Sequence, residues 1–327
     1  MMIGGIRSSP PPLGCQSLPQ SLNRETIDHT NGDIMSGTDA SKLLNETIEA
    51  SSGKGASDEN FPVGSFLIAK ELRPHVAAYY DFARAGDDIG DDPDLAPDEK
   101  VARLTAFETA LMTPEVAVEG TQKATKLHAS LNACHVPLEH GRKLLDAFRQ
   151  DAVKNRYKTW DELVDYCTMS ADPVGRFLLD LHDEDNAGFK NSDALCTVLQ
   201  ILNHLQDCGK DKHEIDRVYL PSDWLEAQGI DADVLDGHHT PPPLRHVLDQ
   251  CLDGCEPLLE LCRDLAPRLK NRRLAAESTV IVRLAHRLYA RLRVGDPLAT
   301  RVKLTKLDFA VAGFYGLMRL IFHVQKR

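Results

Sequence analysis

The segment LQILNHLQDCGKD, residues 199–211, places polar and apolar side chains on opposite sides of a predicted helix. The polar side chains recur at spacings of three, four and four residues and are Gln200, Asn203, Asp207 and Asp211. The apolar side is formed by Leu199, Ile201, Leu202 and Leu205. Carboxylates on a largely apolar helix are costly unless they are paired or bind a metal ion. We therefore expect these acids to have a partner; the alternative is a half-exposed helix with ordinary surface ion pairs.

A second acidic segment, YYDFARAGDDIGDDPD at residues 79–94, has similar spacing. On a helix with about 100° per residue, four of its side chains fall within a stripe about 60° wide. These side chains are Tyr80, Arg84, Asp87 and Asp91. Carboxylates one turn apart repel each other, so they need a compensating cation or cap. Asp88 lies at the edge of the stripe, and Asp92 and Asp94 are predicted to form a solvated helix end; the alternative is that the whole run is such an end.

The chain from Asp58 onward shows helical spacing throughout. Segments such as DEKVARLTAFETALM (98–112) and TVIVRLAHRLYARLRV (279–294) are separated by runs rich in Pro, Gly, Asp or Asn. Alternating β-branched runs bounded by tight turns are nearly absent. The sequence therefore predicts a single all-α domain, residues 58–327, of roughly eight to ten helices.

Residues 1–57 differ from the rest in composition. They are rich in Ser, Pro, Gly and Asn and contain few large apolar side chains. Such a segment cannot offset the entropy lost on ordering, so we expect a disordered N-terminal tail. Met35 is an alternative translation start within this tail.

Composition and charge exclude some classes of function. The net charge is −11 and no basic surface stands out in the sequence, which argues against a nucleic-acid partner. The eight cysteines form no CxxC pair. Cys251 and Cys255 lie one helical turn apart, where small core residues are a better interpretation than metal ligands. With no secretory signal peptide, the sequence suggests a cytoplasmic protein.

The most apolar stretch is LDFAVAGFYGLMRLIF, residues 307–322. It contains Asp308 and Arg319, and its uninterrupted apolar part is shorter than the about 20 residues needed to span a bilayer. The sequence therefore predicts a buried amphipathic helix and no transmembrane helix. Peripheral contact with the inner membrane is compatible with the pattern.

Two acidic helices far apart in sequence can face each other across the cavity of a helical bundle. Such a site suits Mg²⁺, which prefers oxygen ligands and is commonly held by a few carboxylates together with substrate phosphates. The chemistry that needs this arrangement is the ionisation of an allylic diphosphate, with apolar helical walls around the carbocation. Arg84, on the first acidic stripe, could contact a phosphate oxygen.

The two motifs together resemble those of a known family. Asp87, Asp88 and Asp91 satisfy the DDxxD pattern, which prenyltransferases and terpene cyclases share. The combination of YxxxRxxDxxxD (80–91) with QxxNxxxDxxxD (200–211) resembles the squalene and phytoene synthase family from about Asn60 onward. Further phrases resemble its bacterial hopanoid-pathway branch, the hydroxysqualene synthases: DENFPVGSFLI, RPHVAAYYDFARAGDDIGDDP, LLDAFRQD, YCTMSADPVGR and RVYLPSDWL.

The resemblance implies an all-α isoprenoid (terpenoid) synthase bundle with a central cavity and Mg²⁺ between the acidic helices. It implies ionisation of presqualene diphosphate, rearrangement of the cation, and capture by water to give hydroxysqualene and diphosphate. An upstream presqualene diphosphate synthase and a downstream reductase would be pathway partners.

The resemblance also assigns roles by position. The Mg²⁺-facing carboxylates would be Asp87, Asp91, Asp207 and Asp211, with Asp88 and Asn203 supporting them. The residues that contact the diphosphate or line the cavity would be Tyr80, Arg84, Arg176, Gln200, Arg217 and the early pair Ser65 and Phe66. Tyr166 would be the active-site tyrosine; a core tyrosine with a satisfied hydroxyl is the alternative. Surface ion pairs are the alternative for Arg176 and Arg217.

The sequence departs from the family pattern at one position that bears on which reaction is catalysed. Many family members have a basic residue immediately before the Ser65–Phe66 pair, whereas this chain has Gly64. Without that cation one diphosphate would be held differently, which argues against the condensation of two farnesyl diphosphates. The difference is compatible with an enzyme that begins at presqualene diphosphate. The alternatives are a full squalene or phytoene-type synthase acting on farnesyl or geranylgeranyl diphosphate, and a non-catalytic assembly factor that retains the fold.

Overall fold

The structure, a computed structural model, describes residues 67–322, and these residues form a bundle of α-helices. The first six helices are α1 Arg73–Asp91, α2 Pro97–Met112, α3 Gln122–Ala133, α4 Glu139–Asp151, α5 Trp160–Ser170 and α6 Asp172–Leu181. The next six are α7 Phe189–Ile215, α8 Ser222–Ala227, α9 Pro242–Cys262, α10 Leu265–Arg268, α11 Arg272–Leu292 and α12 Lys306–Ile321. The all-α prediction is confirmed. The predicted tail and Met35 lie outside the described residues.

The described range contains more helices than the roughly eight to ten that apolar spacing predicted. One reason is that the continuous apolar pattern over residues 160–181 is divided at Ala171, where the backbone leaves helical geometry before α6 begins. Pro173 lies in the first turn of α6, where a proline costs no helical hydrogen bond. Two helices, α8 and α10, are also too short for periodicity to detect.

Helix α1 carries the first acidic segment and packs closely on α4. Its buried apolar face includes Tyr79, Phe82, Ala85 and Ile89, which recur every three or four residues. A Cβ atom at Gly86 would lie 2.7 Å from the ring of Phe148, so only glycine permits this approach of α1 to α4. The close contact brings the acidic end of α1 beside the end of α4.

The end of α1 agrees with the predicted solvated exit. The helix ends at Asp91, and Asp92 is its C-cap. Asp92 Oδ1 accepts a hydrogen bond from the backbone N–H of Asp94, and Asp94 is an exposed residue. The acids of this segment therefore divide between a helical part and a polar turn.

Helix α7 carries the second acidic segment and is the longest helix of the described range, at 27 residues. Its apolar side, with Ile201, Leu202 and Leu205, is fully or almost fully buried and packs against α9. The helix ends at Ile215, and its C-cap residue Asp216 has a φ of 49°, which turns the chain sharply. This turn directs the next residue, Arg217, back into the protein, where it is buried.

The prediction that residues 307–322 form a buried helix is wrong about burial. Helix α12 packs against α11 mainly through small or polar side chains, and its buried residues are Asp308, Ala312 and Gly316. A Cβ atom at Gly316 would lie 2.5 Å from Val280 Cγ2, so the close approach of α12 to α11 requires glycine there. The large apolar side chains point outward and are exposed: Leu307, Phe309, Val311, Phe314, Tyr315, Leu317 and Ile321. Over residues 67–322, no helix combines the length and the apolar character that a membrane span needs.

Asp308 attaches the start of α12 to α11. Its carboxylate is buried, caps the helix through Thr305, and accepts hydrogen bonds from Arg287 Nε at 3.0 Å and Arg291 Nη2 at 2.6 Å. Burial alone would raise the pKa of Asp308, but the hydrogen bonds from Thr305, Arg287 and Arg291 outweigh it and hold this pKa well below its ordinary value. The ionised carboxylate therefore stabilises the folded state.

We expect Asp308→Asn to lower the free energy of unfolding by about 2 kcal/mol at pH 7, because it removes a charge that two arginines and a helix cap share. Since the folded pKa is depressed, this stabilisation is present above the unfolded pKa of about 3.9 and is lost as pH falls below it. Urea unfolding at pH 7 and pH 3 measures this effect. The difference in the free energy of unfolding between wild type and Asp308→Asn should be smaller at pH 3. The exposed Asp81, which pairs with Lys126 at 3.3 Å, is the control: Asp81→Asn should change stability by less than about 0.5 kcal/mol.

Candidate active site

Three helix ends meet around the buried side chain of Arg217. Its Nη1 donates to Asp91 Oδ1 at 2.7 Å, and its Nη2 donates to the backbone carbonyl of Asp151 at 2.9 Å. Asp91 is the last residue of α1, Asp151 is the last residue of α4, and Arg217 follows α7. The acidic ends of α1 and α7, which are far apart in sequence, are therefore adjacent in the structure.

Three of the four predicted metal-facing carboxylates, Asp87, Asp91 and Asp207, are paired with arginines. Arg84 contacts Asp87 at 2.9 Å and Asp88 at 2.5 Å on the same helix. Arg301 binds Asp207 with two hydrogen bonds of 2.7 Å each. Together with the Arg217–Asp91 pair, these contacts surround the acids with guanidinium groups that could also bind phosphate oxygens.

Two acids of the site, Asp211 and Asp87, are crowded by other carboxylates. The pKa of Asp211 is raised to about 7, by burial and then by the neighbouring carboxylates of Asp207 and Asp91. The pKa of Asp87 is raised to about 8 because surrounding protein atoms desolvate its carboxylate and because Asp91 is close. The contribution of Asp91 to the pKa of Asp211 agrees with the proximity of the two helix ends that the Arg217–Asp91 hydrogen bond establishes.

The donor set fits a divalent cation such as Mg²⁺. All of the crowded groups are carboxylates, which Mg²⁺ prefers. Burial is the main reason that the pKa values of Asp87 and Asp211 are raised, and a cation would relieve the carboxylate repulsion that adds to it. Within residues 67–322, no three His, Cys, Asp or Glu side chains are already grouped at metal-binding distance. The metal-binding roles of Asp87, Asp91, Asp207 and Asp211 stay predictions.

Tyr166 faces the same acidic site. Its hydroxyl donates to Asp151 Oδ2 at 2.7 Å, and both side chains are buried. Burial, followed by the carboxylate of Asp151, raises the pKa of Tyr166 well above its ordinary value, so the hydroxyl remains protonated. Its ring belongs to a buried aromatic group with Tyr157 and Tyr219. The hydroxyl is satisfied, as in a core tyrosine, but its partner is a carboxylate of the acidic site.

An apolar cavity of about 340 Å³ is lined by parts of α1 and α7 that precede the acids in sequence, and none of the predicted metal-facing carboxylates lines it. Its walls come from α1, α6, α7 and α11 and include Tyr80, Phe177, Leu199 and Ile281. Tyr80 lies one helical turn before Arg84, so it connects the acidic stripe of α1 with the cavity. The cavity and the acidic site therefore share the helices α1 and α7.

Some predicted residues are not part of this arrangement. Arg176 binds Asp193 with two hydrogen bonds, of 2.9 and 2.7 Å, and lines a different pocket. Gln200 is half-buried on α7 and is not among the residues that line the apolar cavity. Asn203 lies one turn before Asp207 on α7 and is half-buried. Ser65 and Phe66 lie outside the described residues.

Two acidic residues at the site were missed from the sequence. Asp151 ends the quoted phrase LLDAFRQD, but nothing in its spacing distinguishes it from surface acids. Burial raises its pKa to about 7, although Arg217 and the Tyr166 hydroxyl lower it. Glu277 is buried on α11 and lines the apolar cavity. An isolated acid within the apolar run LAAESTVIV was the available signal for Glu277.

Comparison with known proteins places this site in a family. The family model for squalene/phytoene synthase matches residues 55–308. The chain belongs to the squalene/phytoene synthase family. It is 42% identical over 257 residues to the hydroxysqualene synthase of Zymomonas mobilis, covering 79% of this chain and 86% of that protein. It is also 42% identical over 271 residues to the hydroxysqualene synthase of Rhodopseudomonas palustris, covering 83% and 92%.

Solved structures agree with this assignment. The squalene synthase HpnC from Alicyclobacillus acidocaldarius superimposes with a TM-score of 0.63 at 31% identity, covering 71% of this chain and 86% of that one. The chain is thus a squalene-type isoprenoid synthase with the expected helical fold. Synthases of this family use prenyl diphosphates and generally a divalent metal, which agrees with the carboxylates found here.

Proposed function

We propose that this squalene/phytoene synthase family member converts presqualene diphosphate and water into hydroxysqualene and diphosphate. The observation that carries the proposal is the convergence of Asp91, Arg217 and Asp211 at the ends of α1 and α7, two helices that also line an apolar cavity. Relatives at 42% identity over most of their length are hydroxysqualene synthases. A diphosphate with a long hydrocarbon chain needs a charged site next to an apolar one, and this site offers both.

In this proposal the diphosphate lies against the ends of α1 and α7. Asp87, Asp91, Asp207 and Asp211 would hold Mg²⁺, and Asp88 and Asn203 would support their positions. The bound cation would neutralise the negative charge that develops on the departing diphosphate. Arg84 and Arg217 already bind carboxylates of the site, and the same guanidinium groups can bind phosphate oxygens when substrate enters.

The protein's side chains then protect the carbocation. When the C–O bond to diphosphate breaks, its electron pair leaves with the oxygen and the cation remains among apolar groups such as Phe177 and Leu199. Tyr166 donates a hydrogen bond to Asp151, so its hydroxyl oxygen can accept a hydrogen bond from a water molecule and orient it; to assist the departure of diphosphate, the hydroxyl would turn from Asp151 to a phosphate oxygen. The cation rearranges, a water oxygen forms the new C–O bond, and the proton that the water loses passes to the departed diphosphate.

Two other functions remain testable alternatives. A full squalene or phytoene-type synthase would also condense two farnesyl or geranylgeranyl diphosphates; Gly64, which replaces a basic residue common in the family, argues against this. A non-catalytic assembly factor would not need to keep both acidic motifs, and both are present here. The proposal requires a separate enzyme to supply presqualene diphosphate and a reductase to consume the alcohol.

The experiment incubates purified protein and Mg²⁺ with farnesyl diphosphate alone and, separately, with presqualene diphosphate. We expect hydroxysqualene from presqualene diphosphate, identified by mass spectrometry, and no C30 product from farnesyl diphosphate. Addition of EDTA should abolish the reaction. Conversion of farnesyl diphosphate alone to a C30 product would replace this proposal with the full synthase, and no reaction with either substrate would favour the assembly factor.

A further inference from the structure

Helix α12 presents a continuous apolar face to the outside. Phe314 is 58% exposed and Leu317 is 51% exposed, although both belong in a protein core by their chemistry. No charged residue occurs between Phe309 and Leu317 in the sequence. A face of this size with no polar interruption marks a contact surface rather than an ordinary solvent-exposed helix.

A groove of about 930 Å³ runs beside this face and contains several arginines. The groove is lined by apolar residues of α12 together with Arg263, Arg283, Arg287 and Arg319. Arg263 and Arg287 have carboxylate partners, which are Glu260 and Asp308. The groove therefore combines apolar side chains with guanidinium groups, and only some of these guanidinium groups are paired with a carboxylate.

Arg319 and Arg283 supply the unneutralised charge. Two nitrogens of the Arg319 guanidinium, Nε and Nη2, are shielded from solvent and have no hydrogen-bond partner in the described part of the chain. The Arg283 guanidinium stacks over the Tyr315 ring, 3.2 Å from its centroid, and no carboxylate pairs with it among residues 67–322. A desolvated guanidinium without an anion is unfavourable, so this site requires an anionic group.

These features together specify the partner. The chain carries a net charge of −11, so a groove with unpaired arginines has the opposite sign to the protein as a whole. This local positive charge favours an anionic partner. An apolar helix face bordered by arginines matches the boundary between the headgroups and acyl chains of an anionic bilayer. A second copy of the chain fits less well, because a two-fold interface through this face would bring like-charged Arg319 side chains together.

We propose that α12 and the arginine groove form a docking surface for bilayers that contain anionic phospholipids. The helix lies along the surface: its 16 residues extend over about 24 Å, less than the hydrocarbon core of a bilayer. Phe314 and Leu317 enter the acyl boundary, while Arg283 and Arg319 bind lipid phosphates. This inference goes beyond the proposed reaction, and its test does not depend on turnover.

The experiment is flotation of the full-length protein with vesicles of phosphatidylcholine alone or mixed with phosphatidylglycerol. Two arginines near anionic headgroups should raise the partition coefficient for the mixed vesicles by about tenfold or more at low salt. High salt should reduce this preference because it screens the phosphate contacts. Equal binding to both vesicle types, or none to either, would overturn the proposal.

Matched variants separate the two parts of the surface. Phe314→Gln combined with Leu317→Gln should reduce binding to mixed vesicles by about tenfold or more, because the apolar contact is lost. Val116→Gln with Val118→Gln, at positions 57% and 45% exposed, should leave binding unchanged. Arg283→Gln with Arg319→Gln should remove the preference for phosphatidylglycerol.

Circular dichroism and thermal unfolding of each variant verify that the fold is retained. If the control variant with Val116→Gln and Val118→Gln lost as much vesicle binding as the variant with Phe314→Gln and Leu317→Gln, the proposal would be overturned. So would a wild-type dimer, measured by analytical ultracentrifugation, that the Phe314 and Leu317 substitutions dissociate, because the face would then be a subunit interface.

Discussion

Asp91→Asn and Asp207→Asn are each expected to lower kcat/KM for presqualene diphosphate by about a thousandfold or more. Asparagine keeps the shape of the side chain but removes the charge that would hold Mg²⁺. The two residues lie on different helices, α1 and α7, so equal sensitivity of both would require a site formed between the helices. Steady-state kinetics with varied Mg²⁺ measures the effect.

The two substitutions differ in what else they disturb. Asp91 is bound by the buried Arg217, so its replacement also leaves an arginine without its partner. Asp207 is bound by the more exposed Arg301, and its loss should cost at most about 1 kcal/mol of stability. Asp207→Asn is therefore the cleaner test of chemistry. Asp94→Asn, in the polar turn after α1, is the control and should retain full activity. Near-normal activity of Asp207→Asn at saturating Mg²⁺ would show that the metal site is wrongly assigned.

The acidic faces could be predicted because they depend only on local geometry. On a helix, residues three and four apart share a face, so the spacing of Asp87 with Asp91 and of Asp207 with Asp211 was sufficient. The presence of a second such helix supported an interior site before any packing was known. The end of α1 at Asp91 was predictable for the same reason, because Pro93 and the surrounding acids stop a helix.

The partners of these acids could not be predicted from spacing. Arg217 and Asp91 are 126 residues apart, and their contact depends on the turn at Asp216 and on the packing of α7 beside α1. Asp151 has no periodic acidic neighbour, so its burial becomes visible only when α4 and α5 are placed together. Long-range contacts of this kind are a property of the assembled bundle and not of any segment.

The prediction that α12 is buried was wrong for a different reason. Its sequence is apolar on nearly every side, so periodicity does not distinguish the inward face from the outward face. The deciding feature is steric: Ala312 and Gly316 are small enough to let α12 approach α11, and the larger side chains are then left outside. Size, rather than hydrophobicity, determines which face is buried.

Arg217→Met is expected to lower the free energy of unfolding by about 4 kcal/mol. Arg217 is 4% exposed, and methionine has a similar length but no charge. Its removal leaves the buried carboxylate of Asp151, whose Oδ1 lies 3.9 Å from Arg217 Nε, without its cation. Breaking one partner of a buried pair is costly because the other charge remains desolvated.

A double-mutant cycle isolates this contribution. If the cost of Arg217→Met comes from the unpaired acid, adding Asp151→Asn should recover part of the loss, with a coupling energy of about 1–3 kcal/mol. Arg301→Met is the matched control, since that arginine also binds an aspartate through two hydrogen bonds but has a side chain 39% exposed. Its cost should be about 1 kcal/mol or less. Urea unfolding measures all four variants, and equal costs for Arg217→Met and Arg301→Met would mean that burial does not determine the strength of these pairs.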